Sequence, residues 1–399
     1  MSNPTSDATR DAMISRRSLI RTLSALPIAY GLGRKAQAFQ RVEGPIPAAV
    51  PGMTIRETEP QNFEPDFAGL NSFLTPNDRF YVRNHFAIPQ LDAKTWQLRV
   101  EGEAAAFALS YEELTQMPAQ TKAVTIECAG NGRVFLTPKV DGTQWQLGAV
   151  GTAEWTGVSL AAVLERAKIA PGSVDVILEG ADAGEVSKTS RPAKPFHYAR
   201  SIPIEQARRG GILLAYKMNG QPLPPAHGYP VRAIVPGWFG MASVKWLSRI
   251  LVVAKPFEGF FQTVDYAYWV HRNGLPTRVP VTELQVKAQI ARPAMAEVIP
   301  AGAPYRIFGA AWSGDSEIVK VEVSTDGGKS FAPARLLGNR ITHAWRLWEF
   351  PWRAPATPGR HVLMAKATDA GGRTQPLSRD KDRENYMINQ VLPIQISVR

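Results

Sequence analysis

The sequence predicts an α+β protein in two parts, a mixed α/β domain followed by an immunoglobulin-like β-sandwich. Three observations carry this. The chain has 399 residues, more than one hydrophobic core usually organises. Glycine and proline number 32 each, which favours strands and loops over long helices. From about Thr282 onward, short strand-like runs alternate with turn signals, whereas before it strands and short helices are mixed.

Taken in order, residues 39 to about 75 read as an irregular arm rich in Pro, Gly and Glu. Phe80 to Pro89 is aromatic and branched and reads as a strand ending in the polar patch Arg83-Asn84-His85. A strand over Trp96 to Val100 follows. Tyr111 to Met117 is a short helix, with Ser110 as its cap and Glu113 at the capping-box position. Val124 to Ile126 is β-branched and apolar and reads as a short buried strand. Trp145 and Trp155 flank Gly148 to Thr152, and Leu160 to Ala167 is a helix.

Val174 to Leu178 is a buried strand that ends before Glu179-Gly180-Ala181-Asp182, and 183–200 is a long polar connection. A strand over Ile212 to Tyr216 leads into a proline-stiffened turn that presents His227 and Arg232. After a strand over Ala233 to Pro236, a glycine-bounded loop runs to Ser243 and Lys245, and Phe260 to Asn273 is aromatic. In the second part, strands are expected over Tyr305 to Ala311, Ile318 to Ser324, Ala344 to Phe350, His361 to Asp369 and Leu392 to Val398. A turn at Asp326-Gly327-Gly328 falls among them. The resulting division is 1–38 as an export signal, 39–281 as the first domain and 282–399 as the second, with no internal repeat.

The amino terminus carries an address. Ser15-Arg16-Arg17-Ser18-Leu19-Ile20 is a twin-arginine pair, followed by a weakly apolar run to Leu32 and the small-x-small pattern Ala36-Gln37-Ala38. Such signals suit proteins exported already folded, so the expected location is the periplasm. The apolar run is too short for membrane insertion. Removing 1–38 lowers the formal charge from +11 to +7, since six basic and two acidic residues leave with it. The basic residues are spread out, without a Lys/Arg tract or a stripe interleaved with aromatics, which argues against a nucleic-acid partner.

Cys128 is the single cysteine. In an oxidising compartment it has no intrachain disulfide partner. It sits at a strand end on Ala129-Gly130-Asn131-Gly132, just before Arg133. Two readings stand on these residues: a buried thiol acting as a small apolar group, or a thiolate ligand for a soft metal. Around it the chain offers Arg83, His85, Arg133, His227, Arg232 and Lys245, several of them on glycine-bounded loops. Guanidinium forks match oxyanions, and such loops suit a phosphate-bearing group. No dinucleotide fingerprint or Walker loop is present.

Four motifs, in order, resemble the sulfite oxidase family of molybdenum enzymes. They are Val82-Arg83-Asn84-His85, Glu127-Cys128-Ala129-Gly130-Asn131, His227-Gly228-Tyr229-Pro230-Val231-Arg232 and Ser243-Val244-Lys245-Trp246-Leu247. The resemblance covers nearly all of the chain after residue 38 and is greatest to haem-free bacterial periplasmic sulfite dehydrogenases. It implies a molybdopterin-binding first domain of the sulfite oxidase type and a dimerising second domain, hence a homodimer. It implies Cys128 as the thiolate on molybdenum of a Mo-molybdopterin cofactor. It implies Tyr266 beside the metal, and Arg83, His85 and Arg133 as an anion pocket walled by Trp145. Asn84, Asp182, His227, Arg232, Ser243 and Lys245 would hold the pterin and its phosphate. The implied reaction oxidises sulfite to sulfate, with electrons leaving singly to an external c-type cytochrome. One position departs from the family pattern: Asn389 stands where family members often carry an arginine. Relatives acting on other sulfur substrates, as sulfane dehydrogenase or methionine sulfoxide reductase, and a non-catalytic periplasmic binding protein are the alternatives.

Overall fold

The computed structural model describes residues 52–102, 106–186 and 194–399. The twin-arginine segment and the start of the expected arm lie outside them. The described residues belong to one compact unit.

Two five-stranded sheets build the first part. One has the order β4-β3-β12-β7-β8, from Ala106–Ser110, Gln97–Glu101, Leu247–Val253, Asp175–Gly184 and Phe196–Pro203. Its β12/β3 pair is parallel and its other pairs are antiparallel. The second has the order β10-β9-β6-β5, with β11 also on β9. These are Gln221–Pro222, Leu213–Met218, Val150–Ser159, Ala119–Glu127 and Arg232–Ile234. Helices α1 (Tyr111–Gln116), α2 (Leu160–Arg166), α3 (Ile204–Arg208) and α4 (Phe260–Thr263) are short. The Ser110/Glu113 capping box of α1 is present in both directions. Among the described residues no helix is long and apolar enough to cross a membrane.

The second part is a β-sandwich. One sheet has the order β15-β17-β21-β20 (Lys287–Arg292, Pro304–Trp312, Arg346–Arg353, Arg335–Leu336). The facing sheet has the order β16-β23-β22-β18-β19 (Val298–Ile299, Ile394–Val398, Gly359–Asp369, Ile318–Ser324, Ala332–Pro333). The inner faces bury Ile290, Ile307, Val321, Val323, Trp348, Leu363 and Ile396, as period-2 alternation requires. The main core of the first part continues into the sandwich through Phe308, Trp312, Trp345, Tyr386 and Met387.

Four expectations differ from the structure. The arm contains a hairpin, β1 (Met53–Glu57) with β2 (Asn62–Pro65). Phe80 to Pro89 is not a strand. Only Val82 pairs, in an isolated bridge to Phe63, and the Asn84 N–H donates to the Asn62 side chain instead. Freed from a ladder, the backbone bends and brings Arg83, Asn84 and His85 into one cleft. The strand expected to stop at Leu178 runs on to Gly184 as β7, with an irregularity between Glu179 and Ala183. There the Ala181 N–H bonds the Trp246 carbonyl, and a bulge of this kind re-aims a side chain, here Asp182. The polar connection is shorter than expected, because β8 begins at Phe196. The aromatic stretch resolves into α4 and the hairpin of β13 (Ala267–Arg272) with β14 (Leu275–Pro280).

Candidate active site

Strand β5 starts exposed and ends buried, so it carries the chain from the surface into the interior. The β-branched run Val124 to Ile126 lies on the buried end, which delivers Cys128 into the core of the first part. The loop then closes on itself: the Cys128 N–H bonds Ala149 O at 2.9 Å, the Asn131 N–H bonds Cys128 O at 2.9 Å, and the Arg133 N–H bonds Gly130 O at 3.0 Å. Gly130 leaves room for the Arg133 guanidinium, since a Cβ there would stand 2.3 Å from one of its nitrogens and make it shift. Gly132 takes the left-handed conformation at φ 96°.

Cys128 opens onto a cleft of about 680 Å³, its mouth included. Ten of the twelve expected residues line it: Arg83, Asn84, His85, Cys128, Asp182, His227, Arg232, Ser243, Lys245 and Tyr266. Tyr81, Tyr198 and Trp246 complete its walls. Arg133 and Trp145 do not line it. The Arg133 guanidinium donates to Thr143 O at 2.7 Å and to Asn385 O at 3.2 and 3.3 Å, and it lies against the Tyr386 ring. Trp145 is fully buried behind Tyr81, ring against ring at 6.3 Å, and its indole N–H has no hydrogen-bond partner.

At the thiol end, His85 Nε2 lies 2.9 Å from the Tyr266 hydroxyl and 3.4 Å from Arg83 Nη2. A guanidinium only donates, so Nε2 is the accepting nitrogen. His85 also lies 3.8 Å from the Asp265 carboxylate, which accepts from the Tyr386 hydroxyl at 3.2 Å. Burial holds the Tyr266 phenol well above its ordinary range, so it remains an O–H donor. Burial also pushes the Cys128 thiol up, while the Arg83 and Arg133 guanidiniums pull against it. A bound cation is what makes such a thiol a thiolate.

The other end of the cleft is built for an anion. Arg232 donates to His227 O and Ser243 O, each at 3.0 Å, and stacks over Trp155. Lys245 donates to Ala226 O at 2.9 Å and to the Asn84 side chain. Burial drives the Lys245 ammonium well below its usual range, with Arg232 adding to the effect, and lowers Arg232 to about 10. Burial, with Lys245 and Arg232, lowers His227 to about 3. His227 is therefore neutral, with Nε2 3.1 Å from the Asn77 carbonyl. Asp182 is raised to about 7 by burial against the pull of Lys245, and among the described residues its Oδ1 has no hydrogen-bond partner. Gly228, at φ 105°, lets Arg232 and Lys245 converge, since a Cβ would lie 3.0 Å from one and 3.1 Å from the other. The Ser243 hydroxyl accepts from the Val235 N–H at 3.1 Å, so it braces the loop as well as lining the cleft.

These residues fit a soft metal carried by an anionic organic group. Cations outnumber the one lining carboxylate, and the orphaned Asp182 oxygen offers an acceptor to ligand N–H groups. Among the described residues no three His, Cys, Asp or Glu side chains gather to hold a metal. A metal arriving with most of its ligands on such a group would need only one more from the chain, and the Cys128 thiol at the cleft would be placed to give it.

Residues 85–261 match the family of oxidoreductase molybdopterin-binding domains, and residues 278–396 match the Mo-co oxidoreductase dimerisation domain. Sulfite oxidase of Gallus gallus is 35% identical over 355 residues, covering 83% of this chain and 74% of that protein. The chain belongs to the sulfite oxidase family of molybdenum enzymes. Mitochondrial sulfite oxidase of Homo sapiens is 35% identical over 353 residues, and the chain spans 62% of its length. The sulfane dehydrogenase SoxCD from Paracoccus pantotrophus has the same fold, with a TM-score of 0.75 and 24% identity over 97% of each chain. The cofactor of this family is Mo-molybdopterin, and Cys128, Asn84, Asp182, His227, Arg232, Ser243 and Lys245 are the cleft residues that would hold it.

Residues that the sequence reading passed over include Glu127, Lys287, Trp312 and the segment from Asn385 to Ile388. Glu127 lies inside the quoted Cys128 motif. The others stand more than 150 positions further along, and only the fold brings them to the loop.

Proposed function

We propose that this protein oxidises sulfite to sulfate and passes the electrons singly to an external c-type cytochrome. The observation that carries the reading is the grouping of Arg83, His85 and Tyr266 with the Cys128 thiol in one cleft. When bound, the molybdenum cofactor supplies the two-electron chemistry and the oxygen transfer to sulfur. The chain's own residues bind and orient the substrate. Sulfite is a small dianion, and the Arg83 guanidinium offsets its charge in a site of low dielectric. Per sulfate formed, one water is consumed and two protons and two electrons leave. The Tyr266 hydroxyl and His85 Nε2, in contact at 2.9 Å, hold a proton at the substrate end. Asp265 beside His85 leads it away. The same reading places the mature protein in the periplasm, exported by the twin-arginine route, as a homodimer joined through its dimerisation domain.

Sulfite-dependent reduction of cytochrome c, run beside metal analysis, tests it. The expected result is turnover with sulfite and roughly one molybdenum per chain, with Cys128→Ser folded but inactive. Cytochrome c reduction with a sulfane substrate, or methionine sulfoxide reduction when an electron donor is supplied, and no turnover with sulfite, replaces the substrate. A molybdenum-free protein, or full activity in Cys128→Ser, removes the enzyme reading or the ligand assignment respectively. Asn389 bears on the substrate question. It is buried, accepts from Arg383 at 3.0 Å and donates to Val286 O at 3.3 Å, and it does not line the cleft.

A further inference from the structure

We propose that the β-sandwich holds the reaction site's cysteine in place from behind the cleft, by clamping the loop Glu127–Arg133 that carries Cys128, with Lys287 as the positioning residue. The proposal rests on the reading of Cys128 as the metal's thiolate. The clamp touches the loop at nearly every position. The Glu127 carboxylate is buried and accepts from Lys287 Nζ at 2.8 Å and from Trp312 Nε1 at 2.8 Å. Lys287 opens β15 and Trp312 closes β17, and the two stand opposite each other in the ladder. The Ala129 carbonyl accepts from the Met387 N–H at 2.8 Å. The Asn131 carbonyl accepts from Lys287 at 3.3 Å, and the Asn131 side chain donates to Glu127 at 3.0 Å. A Cβ on Gly132 would stand 3.3 Å from Ile388 Cγ2. The Asn385 carbonyl holds Arg133.

The first part itself holds the other side of the loop, through the Cys128 N–H on Ala149 O. The loop that carries the thiol is therefore held by hydrogen bonds from both parts of the chain. The segment that supplies Asn385, Met387 and Ile388 is itself braced, since Arg379 donates to the carbonyls of Glu384, Tyr386 and Met387. Among the described residues, Lys287 is the one side chain of the sandwich that bonds both Glu127 and Asn131, the residues either side of the Cys128–Gly130 turn. A buried carboxylate next to the thiol also needs a cation, and Lys287 supplies it from the other part of the molecule. Reacting groups displaced by about 1 Å lose roughly a hundredfold in rate, so a loosened loop acts on turnover before it acts on substrate binding.

The test uses the full-length holoenzyme with Glu127→Gln/Lys287→Met, which removes both charges together and strands neither. At unchanged molybdenum content, the thiolate-to-metal charge-transfer absorption is expected to shift or weaken. The kcat is expected to fall roughly 10- to 100-fold, with the sulfite KM within about twofold of the parent. A second readout needs no metal. Cys128 is the single cysteine, so iodoacetamide labelling of the full chain made without molybdenum reports on it alone, and its rate is expected to rise at least fivefold. Trp312→Phe keeps a ring, removes one donor to Glu127 and shifts both readouts in the same direction by a smaller factor. Parental absorption, kcat and labelling rate in both variants overturn the clamp. Faster labelling combined with full turnover in Cys128→Ser supports the clamp and removes only the ligand reading on which its catalytic meaning rests.

Discussion

Arg83 illustrates what a single residue contributes here. It lies at the bend where the backbone leaves its one bridge at Val82, and its guanidinium donates to the Asn84 carbonyl and approaches His85. Its guanidinium lines the cleft beside the Cys128 thiol, within reach of a bound anion. Replacing it with Gln removes a charge-assisted contact of about 1.5–3 kcal/mol, so the sulfite KM is expected to rise roughly 10- to 150-fold. A KM within error of the parent removes Arg83 from the substrate contacts. The identity of such residues was legible, because Arg83, Asn84, His85 and Cys128 sit in short contiguous motifs. Their conformation was not. Aromatic and branched composition pointed to a strand at Phe80 to Pro89, but β propensity reflects packing rather than an intrinsic backbone preference. Here Phe80, Tyr81 and Val82 are all buried without a ladder. Arg133 follows the same lesson: its place near Cys128 in sequence was visible, but its turn toward Thr143 and Asn385 depends on Gly130, three residues earlier, and on a segment 252 residues further on.

At the scale of elements, local chemistry was the most readable. The capping box of α1 and the Asp326-Gly327-Gly328 turn both follow from short-range rules. In that turn the Asp326 carboxylate accepts from the Ser330 hydroxyl and N–H, the Ser324 hydroxyl and the Lys329 N–H. These bonds, the Ser330 hydroxyl first, hold its carboxyl well below the usual carboxylate range. The folded chain therefore binds fewer protons here than the unfolded chain. The stabilisation is fully present above the ordinary aspartate value of 3.8 and is lost as pH falls below it. Asp326→Asn is expected to lower Tm at pH 6 and to converge with the parent as pH drops through 3.8 toward 2. A Tm difference that stays constant over that range rules out the carboxylate as its source. What the element-scale reading missed was the bulge in β7. A run of Gly180, Ala181 and Asp182 looks like a strand end, yet the Trp246 carbonyl takes the Ala181 N–H and lets the strand resume.

For the whole molecule, two sheet architectures were legible from the spacing of strands and turns, but their union was not, because the contacts that join them are non-local. Thr125 in β5 accepts from the Trp345 N–H at 2.7 Å and donates its own N–H to His343 O at 2.8 Å. Gln289 in β15 donates to Leu147 O at 2.8 Å. With the buried Lys287–Glu127 pair, these bonds cross between the two parts, beside a core cluster that draws residues from both, Phe67 and Met387 among them. Two parts joined by hydrogen bonds this deeply buried have no cheap plane along which to separate, since parting them exposes an unpaired carboxylate, an ammonium and several backbone groups at once. The chain is therefore expected to unfold in urea as a single transition, at fixed protein concentration and cofactor occupancy. Tryptophan fluorescence, far-UV circular dichroism and exposure of Cys128 to a thiol reagent should share one midpoint. Lys287→Ala leaves the Glu127 carboxylate buried and uncompensated, so it should lower the stability of that one transition by about 3–5 kcal/mol. Two separated transitions, with Lys287→Ala moving only one of them, would show that the sandwich and the cysteine loop are energetically independent. The clamp would then be a contact without mechanical consequence. A single midpoint that moves as a whole for all three probes means that the part of the molecule built for dimerisation also sets how firmly the thiol is held.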